Sequence, residues 1–149
     1  MTQFRSQPHT SPANPFIDFQ IVDFKVVDPN AADPNAAVVN LKLGQPFTFV
    51  VKVMGTGSVW TGMSMDAAPT WQTRFYANAL GIDVLGESNF GPVIGALTPN
   101  GGPNIYEVRL AIPGGITTEG VYELGALVRL PTNGVNGSAD EYHIDVAAP

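Results

Sequence analysis

Residues 120–130 read Gly-Val-Tyr-Glu-Leu-Gly-Ala-Leu-Val-Arg-Leu, and this stretch decides the fold class. Apolar or aromatic side chains recur at every second position from Tyr122 to Val128, and the two charged residues, Glu123 and Arg129, occupy the alternate positions. A period of two is typical of a β-strand with one face in a hydrophobic core. Residues 105–112 show the same period, and a loop rich in Pro, Gly and Thr joins the two stretches. We therefore predict an all-β protein.

The segment Gly-Val-Tyr-x-Leu at residues 120–124 resembles the corner between strands E and F of immunoglobulin-like sandwiches. In that family, a Tyr near the start of strand F donates its hydroxyl to backbone a few residues upstream. The resemblance implies that the hydroxyl of Tyr122 bonds to backbone within residues 111–119. It also implies core positions for three further residues, namely Val51, Trp71 and Leu124.

This resemblance covers about residues 45–146 and concerns architecture. It implies a two-sheet antiparallel immunoglobulin-like sandwich of seven to eight strands. The chain contains no Cys, so the sandwich has no disulfide. Strands C and F of such a sandwich are neighbours, which would place Arg74, Glu123 and Arg129 on one outer face with His143 or Asp145.

Alternation predicts the other strands. Residues 47–54 give the clearest pattern and should form a central strand, while residues 16–27 change phase near Ile21 and Val22, which indicates a β-bulge. Two Asn-Gly pairs within residues 131–140 are hairpin signals. The remaining predicted strands are residues 38–43, 71–78, 81–85 and 141–146, and residues 86–102 are predicted to be mostly loop.

The chain divides into a Pro-rich N-terminal arm, residues 1–15, and a sandwich domain, residues 16–149. The arm has few apolar side chains, so it needs outside surface to become ordered. We expect it to pack on another subunit, with Phe4 in a hydrophobic slot. Packing on its own domain is the alternative.

Composition excludes several functions. The net charge is −6 and no basic stripe occurs, which argues against nucleic-acid binding. The two His form no zinc-binding pair, and neither a nucleophile elbow nor a phosphate-binding loop is present, so we expect neither an enzyme nor a bound cofactor. No apolar run predicts a membrane span. The N-terminus lacks a Sec-type signal pattern, so the default location is the cytoplasm or an assembly.

Residues 28–32 and 33–37 repeat the sequence Asp-Pro-Asn-Ala-Ala. Asp-Pro and Pro-Asn are turn dipeptides, so the repeat predicts two successive turns. The alternative is a calcium site, since the repeat supplies oxygen ligands from Asp28, Asn30, Asp33 and Asn35. The spacing of known calcium loops is absent, and we predict no metal.

The connection over residues 55–70 carries Trp60, Met63 and Met65. These side chains either pack over one end of the sandwich or form an apolar recognition surface, because Met and Trp both suit binding. Only 13% of residues are charged, which is typical of an assembly interface. We therefore predict a non-catalytic structural or protein-binding sandwich that assembles with other copies of itself. The alternative is a carbohydrate-binding module in which Trp60 and Tyr76 stack on sugar rings.

Overall fold

The computed structural model describes residues 5–7, 18–56, 71–80, 87–95, 98–99, 105–130 and 135–149. These residues form strands and connections, and none of them belongs to a helix that could cross a membrane. Seven of the strands have eight or more residues, in agreement with the predicted number. The strands in chain order are β1 (Arg5–Gln7), β2 (Asp18–Val27), β3 (Asn40–Lys42), β4 (Phe47–Thr56), β5 (Trp71–Leu80), β6 (Glu87–Gly95), β7 (Thr98–Pro99), β8 (Ile105–Ile112), β9 (Gly120–Leu130) and β10 (Val135–Ala147).

The strands form two sheets. The six-stranded sheet has the order β1-β10-β9-β5-β6, with β3 also paired to β10, and the four-stranded sheet has the order β2-β4-β8-β7. Strands β5 and β9 are antiparallel neighbours, which confirms the predicted pairing of strands C and F. One pair departs from the predicted antiparallel arrangement, because β3 runs parallel to β10.

The core lies between the two sheets and is built from alternate residues of their strands. Phe49 of β4 stacks on Phe75 of β5 with ring centroids 4.9 Å apart, so aromatic packing joins the sheets directly. Val51 and Leu124 are fully buried in the same core, as predicted. Trp71 begins β5, but its side chain lies outside the described residues, so its place in the core stays a prediction.

The corner at Tyr122 has the predicted geometry. Its hydroxyl donates a hydrogen bond to the carbonyl of Thr118 over 2.7 Å, within the predicted segment. A second buried tyrosine, Tyr142 of β10, donates to the carbonyl of Val38 over 2.6 Å and holds the segment before β3 against the sheet. Burial raises the pKa of both phenols above their usual value, so each keeps its proton and remains a donor.

The predicted bulge lies in β2. The pairing of β2 with β4 shifts between Ile21 and Asp23, which leaves Val22 as the extra residue. Val22 is exposed, while Ile21 and Phe24 on either side of it are buried. The bulge therefore lets both phases of the sequence pattern face one core.

Two predictions about the connections were wrong. Residues 87–95 form β6 rather than loop, because β6 lies at the edge of its sheet and its Gly91-Pro92 pair falls where the register with β5 shifts. Pro is tolerated at an edge or a bulge, so it does not interrupt the strand. The last strand begins at Val135 rather than Glu141, so Asn136 and Gly137 pair with β9 and belong to the strand.

The N-terminal arm contributes β1, whose three residues pair antiparallel with Ser138, Ala139 and Asp140 of the same chain. This is the alternative location of the arm, on its own domain. The β10 edge is thus covered in two short pieces, by β1 at one end and by β3 at the other. Phe4 lies outside the described residues.

Candidate functional site

The outer face of the six-stranded sheet is the candidate site. Its central strand β9 has β5 on one side and β10 on the other, and their outward residues align across the sheet in five rows. We number the rows along β9: row 1 is Leu80, Val121 and Asp145; row 2 is Asn78, Glu123 and His143; row 3 is Tyr76 and Gly125, beside the register shift of β10 at Asp140 and Glu141; row 4 is Arg74, Leu127 and Ser138; row 5 is Gln72 and Arg129.

Exposed apolar side chains concentrate on this face. The structure describes five large hydrophobic side chains that are exposed, and three of them, Leu80, Val121 and Leu127, belong to rows 1 and 4. Val121 is the most exposed of the five, at 45%. Clustered apolar side chains on an otherwise polar surface indicate an interaction surface more than single scattered ones do.

Row 3 holds an aromatic ring against the sheet. Tyr76 stands opposite Gly125 in the pairing of β5 with β9, and a Cβ on Gly125 would overlap the tyrosine ring. Gly125 is accordingly buried although it faces outward, because the ring covers it. The missing side chain lets the half-buried Tyr76 lie low at the centre of the face.

Among the described side chains of rows 1 to 5, the acidic and the arginine residues lie at opposite ends of the face. Glu123 and Asp145 occupy rows 1 and 2, whereas Arg74 and Arg129 occupy rows 4 and 5. This confirms that these charged residues share one outer face with His143. His143 lies beside Glu123, with Nε2 and Oε2 3.9 Å apart, and both side chains are partly exposed. The face thus carries apolar side chains in rows 1 and 4 and an aromatic ring in row 3, and exposed Lys42 of β3 lies on the same face near Asp145.

On the outer face of the four-stranded sheet, the second of the duplicated turns bonds to the two residues on either side of Val50. Each repeat closes a turn by the same bonds, in which the Asp carboxylate accepts from the Asn backbone N–H and the Asp carbonyl accepts from the backbone N–H of the first Ala. Asn35 of the second repeat then bridges two strands, since its carbonyl accepts from Lys25 Nζ over 2.8 Å and its Oδ1 from Arg109 Nη2 over 3.1 Å. Lys25 and Arg109 flank Val50 in the sheet, and Val50 is fully buried.

The calcium interpretation finds no supporting arrangement in the described part of the chain. No three His, Asp or Glu side chains there approach closely enough to hold a metal ion. The Asp28 carboxylate also accepts a bond from Gln45 Nε2 over 3.0 Å, so its two oxygens serve the turn and the neighbouring loop.

The binding residues predicted from sequence are not among the described residues, so their place stays a prediction. Trp60, Met63 and Met65 belong to the connection between β4 and β5, and, like Phe4, they fall outside the described residues. Sequence reasoning did not select Leu80, Val121, Leu127 or Gly125. The alternating pattern of each strand predicts that these four residues point outward. It does not predict whether they are exposed, because exposure depends on which other segments of the chain cover the sheet.

The chain matches no known family and no curated protein. Among solved structures it resembles the CARDB domain of a Pyrococcus furiosus protein, solved in complex with di-metal ions, with a TM-score of 0.56 and 17% sequence identity. The match covers 93% of this chain and 100% of that domain. This chain is an immunoglobulin-like β-sandwich. The fold supports a structural or binding module in general terms, and any finer function must come from the surface of the sandwich itself.

Proposed function

We propose that this sandwich is a non-catalytic protein-binding module that assembles with other copies of itself through the outer face of its six-stranded sheet. The observation that carries the proposal is the concentration of exposed Leu80, Val121 and Leu127 on that face. Burial of apolar surface drives most protein association, and these side chains supply it without any change of fold.

The area of the face determines how strong an association between two copies we expect. Rows 1 to 5 span nine residues of β9, whose eight steps cover about 26 Å, and three neighbouring strands with their side chains are about 15 Å wide. This gives roughly 400 Å² for each copy, which lies in the range of weak and transient interfaces. We therefore expect association that depends strongly on protein concentration.

Sedimentation velocity over a concentration series tests the proposal, with the parent and two variants. Val121→Glu places a charge at the most exposed apolar side chain of the face. The matched control is Val22→Glu, because Val22 is similarly exposed but lies on the β2 bulge, away from this face. We expect the parent and Val22→Glu to associate and Val121→Glu to remain monomeric.

Two outcomes would contradict this proposal. One is a parent that stays monomeric at every concentration, and the other is an equal change in both variants. Thermal unfolding of the three proteins should be measured beside sedimentation, so that loss of fold is not mistaken for loss of association.

The predicted contributions of the arm and of the long connection remain part of the proposal. Phe4 would anchor the arm on another subunit, and Trp60, Met63 and Met65 would add apolar contact area. The pairing of β1 with its own β10 supports docking of the arm backbone in the same chain. Deleting residues 2–14 distinguishes the two locations. If the arm binds another subunit, the deletion should lower the mass of the assembly, and if the arm binds its own domain, the deletion should leave the number of subunits unchanged.

Carbohydrate binding is the second candidate, and Tyr76 is the observation that favours it. Its ring lies low over Gly125, between row 2 with Asn78 and row 4 with Arg74. Aromatic rings with hydrogen-bonding neighbours are suited to sugar rings. A glycan array would test it: binding that Tyr76→Phe keeps and Tyr76→Ala loses would support this candidate, and absence of any binding would reject it.

We propose no metal for this chain.

A further inference from the structure

The outer edge of β10 has an opening between the two short strands that pair with it. β1 pairs with β10 as far as Asp140, and β3 begins opposite Asp145. In the described part of the chain, no strand pairs with this edge at Tyr142, His143 or Ile144. We call these three positions the β10 opening. Three residues of extended backbone are about 10 Å long, so a very short strand segment would fill it.

The backbone of His143 faces the β10 opening. Two residues further on, the N–H of Asp145 donates to the carbonyl of Val39 over 2.9 Å on the same edge. Alternate residues of a strand direct their backbone groups to the same side, so His143 presents its N–H and C=O to that edge as well. Backbone groups left unpaired at a sheet edge are a template for a further strand.

An apolar surface adjoins the β10 opening on its core side. Tyr142 and Ile144 belong to the hydrophobic core, and Phe24 of β2 packs edge-on against Tyr142 with ring centroids 5.7 Å apart. Val39, whose carbonyl bonds to the edge of β10, is 37% exposed. A segment that fills the opening therefore meets apolar side chains on its core side and backbone groups along its length.

We propose that residues 2–4 of the chain's own arm continue β1 along β10 and fill the opening, with the side chain of Phe4 on the core side. These three residues directly precede β1, which runs antiparallel to β10, so they lead from Asp140 toward Asp145. Their number matches the three open positions. The first Pro of the chain is Pro8, which follows β1, so residues 2–4 keep the N–H groups that a strand needs.

The alternation of β1 determines which way Phe4 faces. Ser6 pairs with Ala139, which is fully buried, so this position of β1 faces the core. Phe4 lies two residues before Ser6 and therefore faces the core too. It is the aromatic residue of the arm, so the strand register places the most apolar side chain of the segment on the apolar side of the opening.

The bulge of β10 determines the register beyond β1. Residues 140–141 lie at the register shift, which makes Tyr142 the next core-facing residue after Ala139. Phe4 accordingly stands opposite Tyr142, and Gln3 stands opposite His143. Gln3 and His143 exchange two backbone hydrogen bonds, as in any hydrogen-bonded antiparallel pair.

The docked segment gives the arm a role in the domain itself. It closes the remaining open part of the β10 edge, where a strand of another chain would otherwise add. The inference does not depend on self-association through the outer face, because it concerns an edge of the sheet. Since β1 pairs with β10 of the same chain, the arm that fills the opening is the chain's own.

Amide hydrogen exchange tests the docking, with the parent and a variant that lacks residues 2–4, both at low protein concentration. We expect the His143 N–H to exchange at least about tenfold faster in the deletion variant, because it loses its acceptor. The Asp145 N–H is the internal control, since Val39 binds it in both proteins. Equal exchange of His143 in the two proteins would show that residues 2–4 do not fill the opening.

Two substitutions test the position of Phe4. Phe4→Ala removes the side chain that faces the core, and we expect the His143 N–H to exchange about threefold faster. Gln3→Ala is the matched control, because its side chain points away from the core and its backbone bonds are kept. A larger effect of Gln3→Ala than of Phe4→Ala would contradict the register.

A mixing experiment identifies which chain supplies the arm. The deletion variant is labelled with ¹⁵N and mixed with an excess of unlabelled parent. We expect its His143 N–H to keep its fast exchange, because each arm of the parent occupies its own domain. Protection of the labelled His143 by the added parent would show that the arm enters another copy, and the assignment to the chain's own arm would be wrong.

Discussion

The two sheets of the sandwich present very different outer faces. Val50 on the four-stranded sheet and Val121 on the six-stranded sheet are both outward-pointing valines on an internal strand. Val50 is completely buried, whereas 45% of Val121 is exposed. The difference comes from a connection: Asn35, in the second of two duplicated turns, bridges Lys25 and Arg109 on either side of Val50.

The difference implies that outward apolar residues of the two sheets have different roles, in monomer stability on one sheet and in binding on the other. An outward apolar residue that the chain itself covers becomes a second, smaller core, and its loss should destabilise the monomer. An outward apolar residue that nothing in the described chain covers adds little to monomer stability and remains available to a partner. The two faces should therefore respond differently to the same substitution.

The largest expected difference is between Val50→Ala and Val121→Ala. Val50→Ala should lower the free energy of unfolding by about 1.5–3 kcal/mol, because it removes fully buried methyl groups. Val121→Ala should change it by less than about 0.5 kcal/mol, as is usual for exposed sites. Urea unfolding of the two variants measures both values at a protein concentration low enough to keep them monomeric. Equal losses would show that the two faces are not distinct.

The neighbour of Val121 along β9 sharpens the contrast between faces. Tyr122 points into the core and donates its hydroxyl to the carbonyl of Thr118. Tyr122→Phe leaves that partly buried carbonyl without its donor, so we expect a loss of about 1 kcal/mol in the free energy of unfolding. Val121→Phe is the matched substitution one residue away, and it should leave the monomer nearly unchanged. A Tyr122→Phe protein as stable as the parent would argue against the corner.

The smallest effect concerns the duplicated turns. Asn35→Ala removes the side-chain bond to Arg109 and should cost about 0.5–1 kcal/mol. Asn30 occupies the same position in the first repeat and is exposed, so Asn30→Ala is the control and should cost less. Both variants keep the backbone bonds that close the turns. Calorimetric melting would compare them, and a larger loss for Asn30→Ala would refute the assigned role of Asn35.

Much of the fold could be predicted from the sequence because local alternation is strong in a sandwich with one core. The strand Ile105–Ile112 and the bulge at Val22 follow from period-two patterns, and the corner at Tyr122 follows from the resemblance of residues 120–124 to immunoglobulin-like sandwiches. Strand β6 was missed because Gly91-Pro92 reads as a break unless its position at a sheet edge is known. The parallel pairing of β3 with β10 depends on a long-range contact that no local pattern specifies.

The candidate site could be predicted only in part. The sharing of one face by Arg74, Glu123 and Arg129 followed from the pairing of strands C and F. The cover over Val50 could not be predicted, since the two copies of the repeat are identical and only the second, through Asn35, bonds to Arg109. Because this cover depends on a long-range contact, the sequence alone does not show that Val50 is buried and Val121 exposed.

The most direct test of the open face is methyl NMR of the parent over a concentration series. We predict that the methyl signals of Leu80, Val121 and Leu127 shift as the protein is concentrated. The signals of Val22, which is exposed on the four-stranded sheet, should stay in place. A shift confined to Val22, or no concentration dependence at any of the four residues, would contradict the claim that this face binds a second copy.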